Sequence, residues 1–416
     1  MNFYVQSLFI AIPLFWILIF IEIIVSKIKG INVNEHEDMI SSLSSGITNT
    51  TKDAFKVGIV LISYSWLVDN ITVYKLESLW LAVFIAFIVQ DFTGYWMHRL
   101  NHRVNMFWNR HIIHHSSEEF NLSCALRQSI SETFKFSAVL MIPAALLGIP
   151  AKIFIILGPI HLFMQFWYHT RLIGRMGILE YVFVTPSHHR VHHAINSEYL
   201  DKNYGQILII WDKFFNTFQK ELDEVEPVYG TLRPSSTWNP ILINFKHIWQ
   251  LIKDAWYADS IIDKLRIWFM PTGWRPDDVK EKLPLKQIDD PYSQTKYKTK
   301  NSPMLLIWSW IQHLIAGAIM FHLFMVMDIE NPSLLDYLYG LFLFIHIFSF
   351  TAMLDHKKYV ILAEFFKIFL GFYLLYMQEN IWFNLGGVFV ICIISYFIVS
   401  FILTIKFYLE HKPISS

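Results

Sequence analysis

Apolar residues in this chain are bunched rather than alternating. Runs of about membrane-spanning length occupy residues 3–25 and 79–97, a shorter one occupies 54–68, and four more fill 303–327, 334–353, 359–377 and 382–406. A helix needs about 20 consecutive apolar residues to cross the hydrocarbon core of a bilayer, so each run predicts a membrane helix. Residues 134–168 are apolar for long enough to cross twice, with Pro143, Gly148 and Pro150 marking the turn between the two passes. The pattern therefore predicts an all-α, polytopic membrane protein with about nine spans. The first run is too long for the apolar part of a signal peptide and has no small-residue cleavage site, so it reads as a retained helix.

The polar stretches divide the chain. Lys27, Lys29, Glu35, Glu37 and Asp38 follow the first run, and 171–302 holds no clean span and closes on an Asp-, Lys-, Gln- and Pro-bearing segment. The expected organisation is N-terminal membrane helices over 1–75, a histidine-bearing core over 76–276, a polar linker over 277–302, and a four-helix membrane region over 303–416. Cytoplasmic loops collect Lys and Arg. An outward N-terminus puts Lys27, Lys29, Arg99, Arg103, Arg110, Lys357, Lys358 and Lys412 inside, against Lys75 among the acidic outer loops, with Lys152 alone opposing the bias. In that topology the 134–168 hairpin returns the chain to its starting side, so all the histidine motifs meet at the cytoplasmic face.

Composition narrows the chemistry. Of 416 residues 54% are hydrophobic and 16% charged, with no net charge, so no excess of cations exists to neutralise nucleic-acid phosphates. The two cysteines, Cys124 and Cys392, form neither a CxxC pair nor a disulfide framework. Histidine is the outlier: eleven of eighteen lie within 98–193, where an even spread would leave about four.

Those histidines fall into motifs. His98 and His102 are four apart and share a helical face; His111, His114 and His115 form a second cluster; His189, His192 and His193, preceded by His188, form a third. Imidazole binds iron, zinc or copper well, and eight imidazoles at one membrane face exceed what one tetrahedral zinc needs, which argues for two metal ions. Interfacial side chains or a metal-storage tract do not explain three repeats of helical-face spacing. His169 ends the hairpin and emerges at the same face as a ninth candidate ligand, whereas His161 reads as structural. His36, His247, His356 and His411 read as solvated, and His313, His322 and His346 as packed within the later spans. Asp91, Glu118 and Asp201 are candidates to orient the imidazoles. Ser116 with Glu119 reads as a helix-capping box, and Asp201 with Asn203 as a turn.

The series HRLNH from His98, HIIHH from His111 and HHRVHH from His188 resembles the fatty acid hydroxylase/sterol desaturase superfamily of membrane di-iron oxygenases. The stretches DFTGYWMHR from Asp91, HHSSEEFNLSCALRQS from His114, QFWYHT from Gln165 and TPSHHRVHHAINSEYLDKNYGQILIIWDKFFNTF from Thr185 are similar to its glyceryl-ether-cleaving branch, the alkylglycerol monooxygenases. The resemblance spans about 91–229, weakly to 276, and does not reach the last four runs. It implies two iron ions held by the eight motif histidines, a lipid substrate, O2-dependent hydroxylation beside an ether oxygen that releases fatty aldehyde, and tetrahydropterin as electron donor. Arg103 departs from the pattern: animal members are expected to carry an acidic residue there, so another donor is also open. The Ile-, Lys- and Asn-rich composition suggests a bacterial inner membrane. The rival readings are a sterol or fatty-acyl hydroxylase or desaturase, since the ligand set does not encode the outcome, and a divalent-metal transporter, which would place its ligands at mid-membrane on broken helices. No HExxH occurs, which disfavours a metalloprotease.

Overall fold

A computed structural model describes residues 3–132 and 134–411 of the chain. Lys412, used above for orientation, lies outside the described residues. Helix α1 (Phe3–Lys29) is mostly apolar, with Glu22 as its one acid, and turns at Gly30 into α2 (His36–Ala54). The polar stretch after the first run is thus a buried helix. Its Ser41, Ser42, Ser44, Ser45, Thr48 and Thr51 are all inside. Small hydroxyl side chains let neighbouring helices approach closely while bonding locally: Thr48 donates to the Ser45 carbonyl, Thr51 to that of Ile47, and Ser45 to that of Gln128.

The apolar run at 54–68 does not become a membrane helix. Gly58, at φ 140°, and the β-branched residues around it break the helix, leaving a two-residue strand β1 (Ile59–Val60) and the eight-residue α3 (Tyr64–Ile71) capped by Ser63. Strand β1 pairs in parallel with β2 (Phe134–Lys135), and a 3-10 turn then leads into α7 (Ile142–Leu146). These two descents pack through Leu67, Ala138 and Ala145, and at their far ends the amides of Val73 and Tyr74 donate to the Leu146 carbonyl. Each returns as a helix: α4 (Leu79–Arg103), capped by Ser78, and α8 (Ala151–Phe166), which meet through Ala82, Ala86, Ile149 and Ile153. Among the described residues six helices are long and apolar enough to cross a membrane, with two shorter apolar ones at Ser137–Leu146 and Ala151–Phe166, in place of about nine spans. The hairpin reading of 134–168 holds in outline, because the segment starts beside β1 and comes back alongside α4.

Beyond the end of α4 the chain builds a layer of short helices: α5 (Asn105–Trp108), α6 (Ile112–His115), α9 (Pro186–His193), α10 (Ile210–Phe214), α11 (Pro240–Tyr257), α12 (Ile261–Arg266) and α13 (Asp277–Lys282). The polar segment that follows is docked. Tyr297 donates its amide to Glu118 and its hydroxyl to Asp355, and Asn301 donates to Glu37.

Four helices complete the chain, α14 (Pro303–Val326), α15 (Leu334–Leu354), α16 (Val360–Met377) and α17 (Val388–Glu410). Ser302 caps the first, and Ser333 with Asp336 makes a capping box on the second. Leu323, Phe342, Leu374 and Phe397 fill the centre of this bundle. Gly371 is required there, since a Cβ would lie 2.4 Å from the Phe397 ring. Within the bundle Glu364, Lys367, Tyr396, Ser400, Gln312 and His346 form one hydrogen-bonded network.

Candidate metal centre

The last turn of α4 projects His98 and His102 from one face into the short-helix layer. Pro186 opens α9, where its missing N–H costs nothing, and the helix carries His189, His192 and His193 inward, all buried. Helix α6 supplies His114 and His115, with His111 at its N-terminal edge. The nine imidazoles separate into two groups whose ligand nitrogens lie within 4.8 Å of one another: His98, His102, His111, His115 and His192 in one, His114, His169, His189 and His193 in the other. Adjacent residues serve opposite groups, His114 against His115 and His193 against His192. The His115 and His193 rings stack at 4.3 Å between centroids where the groups meet.

The nitrogen separations fit metal ligation. In the first group Nε2 atoms are 2.9 Å apart for His98 and His111, 3.1 Å for His102 and His115, and 3.1 Å for His192 and His115. In the second they are 2.8 Å for His189 and His169, 3.0 Å for His193 and His189, and 3.1 Å for His193 and His114. Nitrogens about 2.0–2.1 Å from a shared ion stand about 2.9–3.4 Å from each other, from octahedral to tetrahedral geometry.

The outer ring nitrogens set the tautomers. A carbonyl can only accept, so Nδ1 of His98 donates to Tyr204 O at 2.8 Å, that of His192 to Lys202 O at 2.9 Å, and that of His169 to Gln165 O at 3.0 Å. His114 Nδ1 donates likewise to Arg127 O at 3.3 Å. His114 and His169 therefore turn two Nε2 lone pairs toward each other at 3.3 Å with no proton between them. Two acceptors so opposed repel unless an electrophile stands between them. Burial, reinforced by neighbouring imidazoles, pushes His111, His115, His169, His189, His192 and His193 well below the ordinary histidine value, and burial takes His114 down to about 3. All seven imidazoles are thus neutral at neutral pH, as metal ligation would require. Phe120 lies over His169 and against Tyr229, while Trp108 flanks His102 and His115, so the surroundings are dry.

Residues proposed to orient the imidazoles are placed differently. Asp91 is fully buried but touches none of the nine; it accepts from His161, the amides of Ile207 and Leu208, and the Trp211 indole. It braces the chain just beyond Tyr204. Asp201 lies 3.8 Å from His102 Nδ1 and pairs with Arg103 at 2.8 Å, and with Asn203 it makes the expected turn, both at positive φ. Glu118 binds the docked segment 294–301 through the Tyr297 amide. The Ser116 and Glu119 capping box does not form. Ser116 donates to Ile113 O and accepts from Arg127, Glu119 pairs with Arg171 and Lys296, and Asn121 caps the next turn instead. His247, read as solvated, is buried and bonds the Asn105 carbonyl.

Three supports escaped sequence reading. Arg127 is buried against Asp38, Ser42 and Ser116, and so fixes the carbonyl that His114 uses. Its one signal was an arginine inside an otherwise small and apolar stretch. Glu22, the sole acid in the first apolar run, accepts from the Leu122 amide and from Thr170 beside His169. Asp212 accepts from the amides of Tyr204 and Gly205 and from Thr217, which locks the loop whose carbonyl meets His98; burial raises it to about 6.

A multi-pass helical membrane protein with two buried groups of inward-facing imidazoles is a membrane metalloprotein of the poly-histidine type. The two groups lie at and beyond the last turn of α4, whereas a transporter's transit site would sit on interrupted helices at mid-membrane. Residues 83–217, which carry every one of the nine imidazoles, match the family model described as fatty acid hydroxylase. The chain is 36% identical to alkylglycerol monooxygenase of Homo sapiens over 305 residues, covering 73% of this chain and 67% of that protein. It is 36% identical to alkylglycerol monooxygenase of Danio rerio over 335 residues, 78% of this chain and 70% of that one. Ornithine lipid hydroxylase OlsE of Rhizobium tropici is 32% identical over 155 residues, 37% of this chain and 44% of its own. No solved structure matches the chain. The chain belongs to the fatty acid hydroxylase family, on its alkylglycerol monooxygenase side. It is an O2-dependent membrane oxidoreductase that acts on lipid and carries a metal site.

Proposed function

We propose that each histidine group holds one iron ion and that the enzyme hydroxylates the ether-adjacent carbon of an alkylglycerol. The ligands in this reading are His98, His102, His111, His114, His115, His189, His192 and His193, with His169 as the ninth. The observation that carries it is the pair of opposed lone pairs on His114 and His169, set within two groups of converging imidazole nitrogens. Bound iron supplies the activation of O2. The chain's own residues keep the imidazoles neutral, aim them inward through backbone carbonyls, and exclude water with Phe120, Trp108 and Tyr229.

In the reaction one oxygen atom enters the C–H bond beside the ether oxygen. The other leaves as water, with two electrons and two protons from the donor, and the hemiacetal so formed collapses to a fatty aldehyde and a glycerol derivative. An ether oxygen weakens the neighbouring C–H bond, which makes that carbon an easier target than a mid-chain methylene. The ether substrate is supported by the identity to the animal alkylglycerol monooxygenases across the motif-bearing stretch. The donor is a tetrahydropterin or another two-electron reductant, since Arg103 with its Asp201 partner occupies the place where an acid was expected. The catalytic unit in this reading is 76–276, with 277–302 joining it to the membrane region 303–416. In this reading the centre faces the cytoplasm from a bacterial inner membrane, an orientation that the Lys/Arg asymmetry supports.

The test supplies membranes containing the protein with an alkylglycerol, O2 and a reducing system, with and without tetrahydropterin. Fatty aldehyde is expected; aldehyde without pterin identifies another donor. Hydroxylated or desaturated sterol or acyl chains with ethers untouched would replace the ether reading with the sterol or fatty-acyl one. Metal analysis is expected to give about two iron equivalents, one per group of facing imidazoles. A cysteine introduced near Asn196 should resist an impermeant reagent added from outside.

A further inference from the structure

Helix α11 turns large apolar side chains outward. Its buried face mixes Ile243 and Leu251 with polar groups: Asn244 accepts from the Ile130 amide, His247 donates to the Asn105 carbonyl, and Asp254 takes two bonds from Arg275. Its exposed face is an apolar stripe at helical spacing, Phe245, Trp249, Ile252 and Trp256, with Trp249 60% and Trp256 78% exposed. The stripe continues onto the next element through Ile261, Leu265 and Phe269. A helix bathed in water carries the opposite arrangement. At 18 residues α11 has the length of a span, yet its polar face keeps it out of the set apolar enough to cross.

The N-terminal end and the middle of α11 are tied to the ends of spans. Asn105, two residues past α4, receives His247, while Asn239 at the N-cap donates to Phe348 near the end of α15, and the Trp238 amide donates to Asp355, which caps α15. The N-terminal half of α11 is therefore held at the level where two spans stop. Tryptophan and tyrosine concentrate at that level, and basic residues such as Lys246, Lys264 and Arg266 flank the stripe as they would beneath lipid phosphates.

We propose that α11 and α12 lie in the plane of the membrane surface, with Trp249, Trp256, Leu265 and Phe269 seated in the leaflet on the side of the metal centre. The occupant of this face is the bilayer itself. Because Asn105 and Asn109 grip the polar side of α11, the loop that carries His111 to His115 is held at a fixed height over the lipid from which substrate must come.

The test uses full-length protein lacking Cys392 (Cys392→Ser), with Trp249→Cys, Trp256→Cys or Leu265→Cys spin-labelled in phosphatidylcholine/phosphatidylglycerol vesicles. Collision of each label with O2 and with a water-soluble nickel chelate gives its depth. Ile391→Cys, exposed on α17, is the hydrocarbon reference, and Glu281→Cys the water reference. The expected O2-to-nickel ratio at all three sites is severalfold above that at Glu281, for a depth of about 5–10 Å below the surface. A ratio equal to that at Glu281 overturns the proposal, because the face is then in water. Labels shielded from both reagents overturn it too, because a second copy or another protein then covers the stripe. Phe269→Cys gives a further position should one label disturb folding.

Discussion

The imidazole centre beyond α4 and the polar network inside the C-terminal bundle are both buried, yet they satisfy their polar atoms in opposite ways. In the bundle Lys367 meets Glu364 at 2.6 Å and Ser400 at 2.8 Å, Glu364 takes a second hydroxyl from Ser349, and His346 finds both Gln312 O and Tyr396. Each group has a partner of opposite character, so nothing more is needed to close it. In the centre, His114 and His169 face each other acceptor to acceptor across 3.3 Å. Burial of charge and polarity is common to both regions, so burial alone does not mark a reactive site. An excess of converging acceptors does, because only an ion from outside relieves it.

The largest test of that contrast is His114→Ala or His192→Ala, one from each group. Activity should vanish while the protein stays inserted, and iron should fall toward half its content; unchanged iron would break the contrast at its root. Next in size, Lys367→Met strands Glu364 in the bundle and should cost about 3–5 kcal/mol of stability, read as a lower unfolding temperature. Iron per folded molecule should not change, and Glu364→Gln added to it should recover most of the loss. Arg127→Met leaves every imidazole in place but frees the segment whose carbonyl steers His114, so metal affinity should drop about 10–100-fold in a chelator competition. Smallest, Tyr396→Phe removes one hydroxyl from the closed network and should cost about 1 kcal/mol with activity intact. A large loss of activity there would mean that the bundle takes part in the chemistry.

The sequence announced the centre because its ligands come at helical spacings, and His98 with His102 or His189 with His193 can be read from the spacing alone. His169 was visible only as the end of a hairpin, and its place in the second group depends on where α8 delivers it. The supports were harder to see. Arg127 and Glu22 act on segments far from them in sequence, and Asp212 closes a loop seven and eight residues before it with no regular spacing, so no local pattern encodes these pairings. The span count went astray at 54–68, where apolar content was right but Gly58 and its β-branched neighbours give strand and short helix, and the Ser/Thr-rich α2 hid a buried helix behind a polar composition.

His114 and His115 belong to different groups, as do His192 and His193. The gap between the two groups is thus measured out twice by a single peptide bond, once on α6 and once on α9. Such a ruler is covalent and does not stretch with temperature, ligand or lipid. Point substitutions can weaken one group, but they cannot slide it toward the other. An inserted or deleted residue within either helix would turn the imidazoles that follow it in that helix by about 100°, whereas the loops on both sides can change length with the spacing untouched.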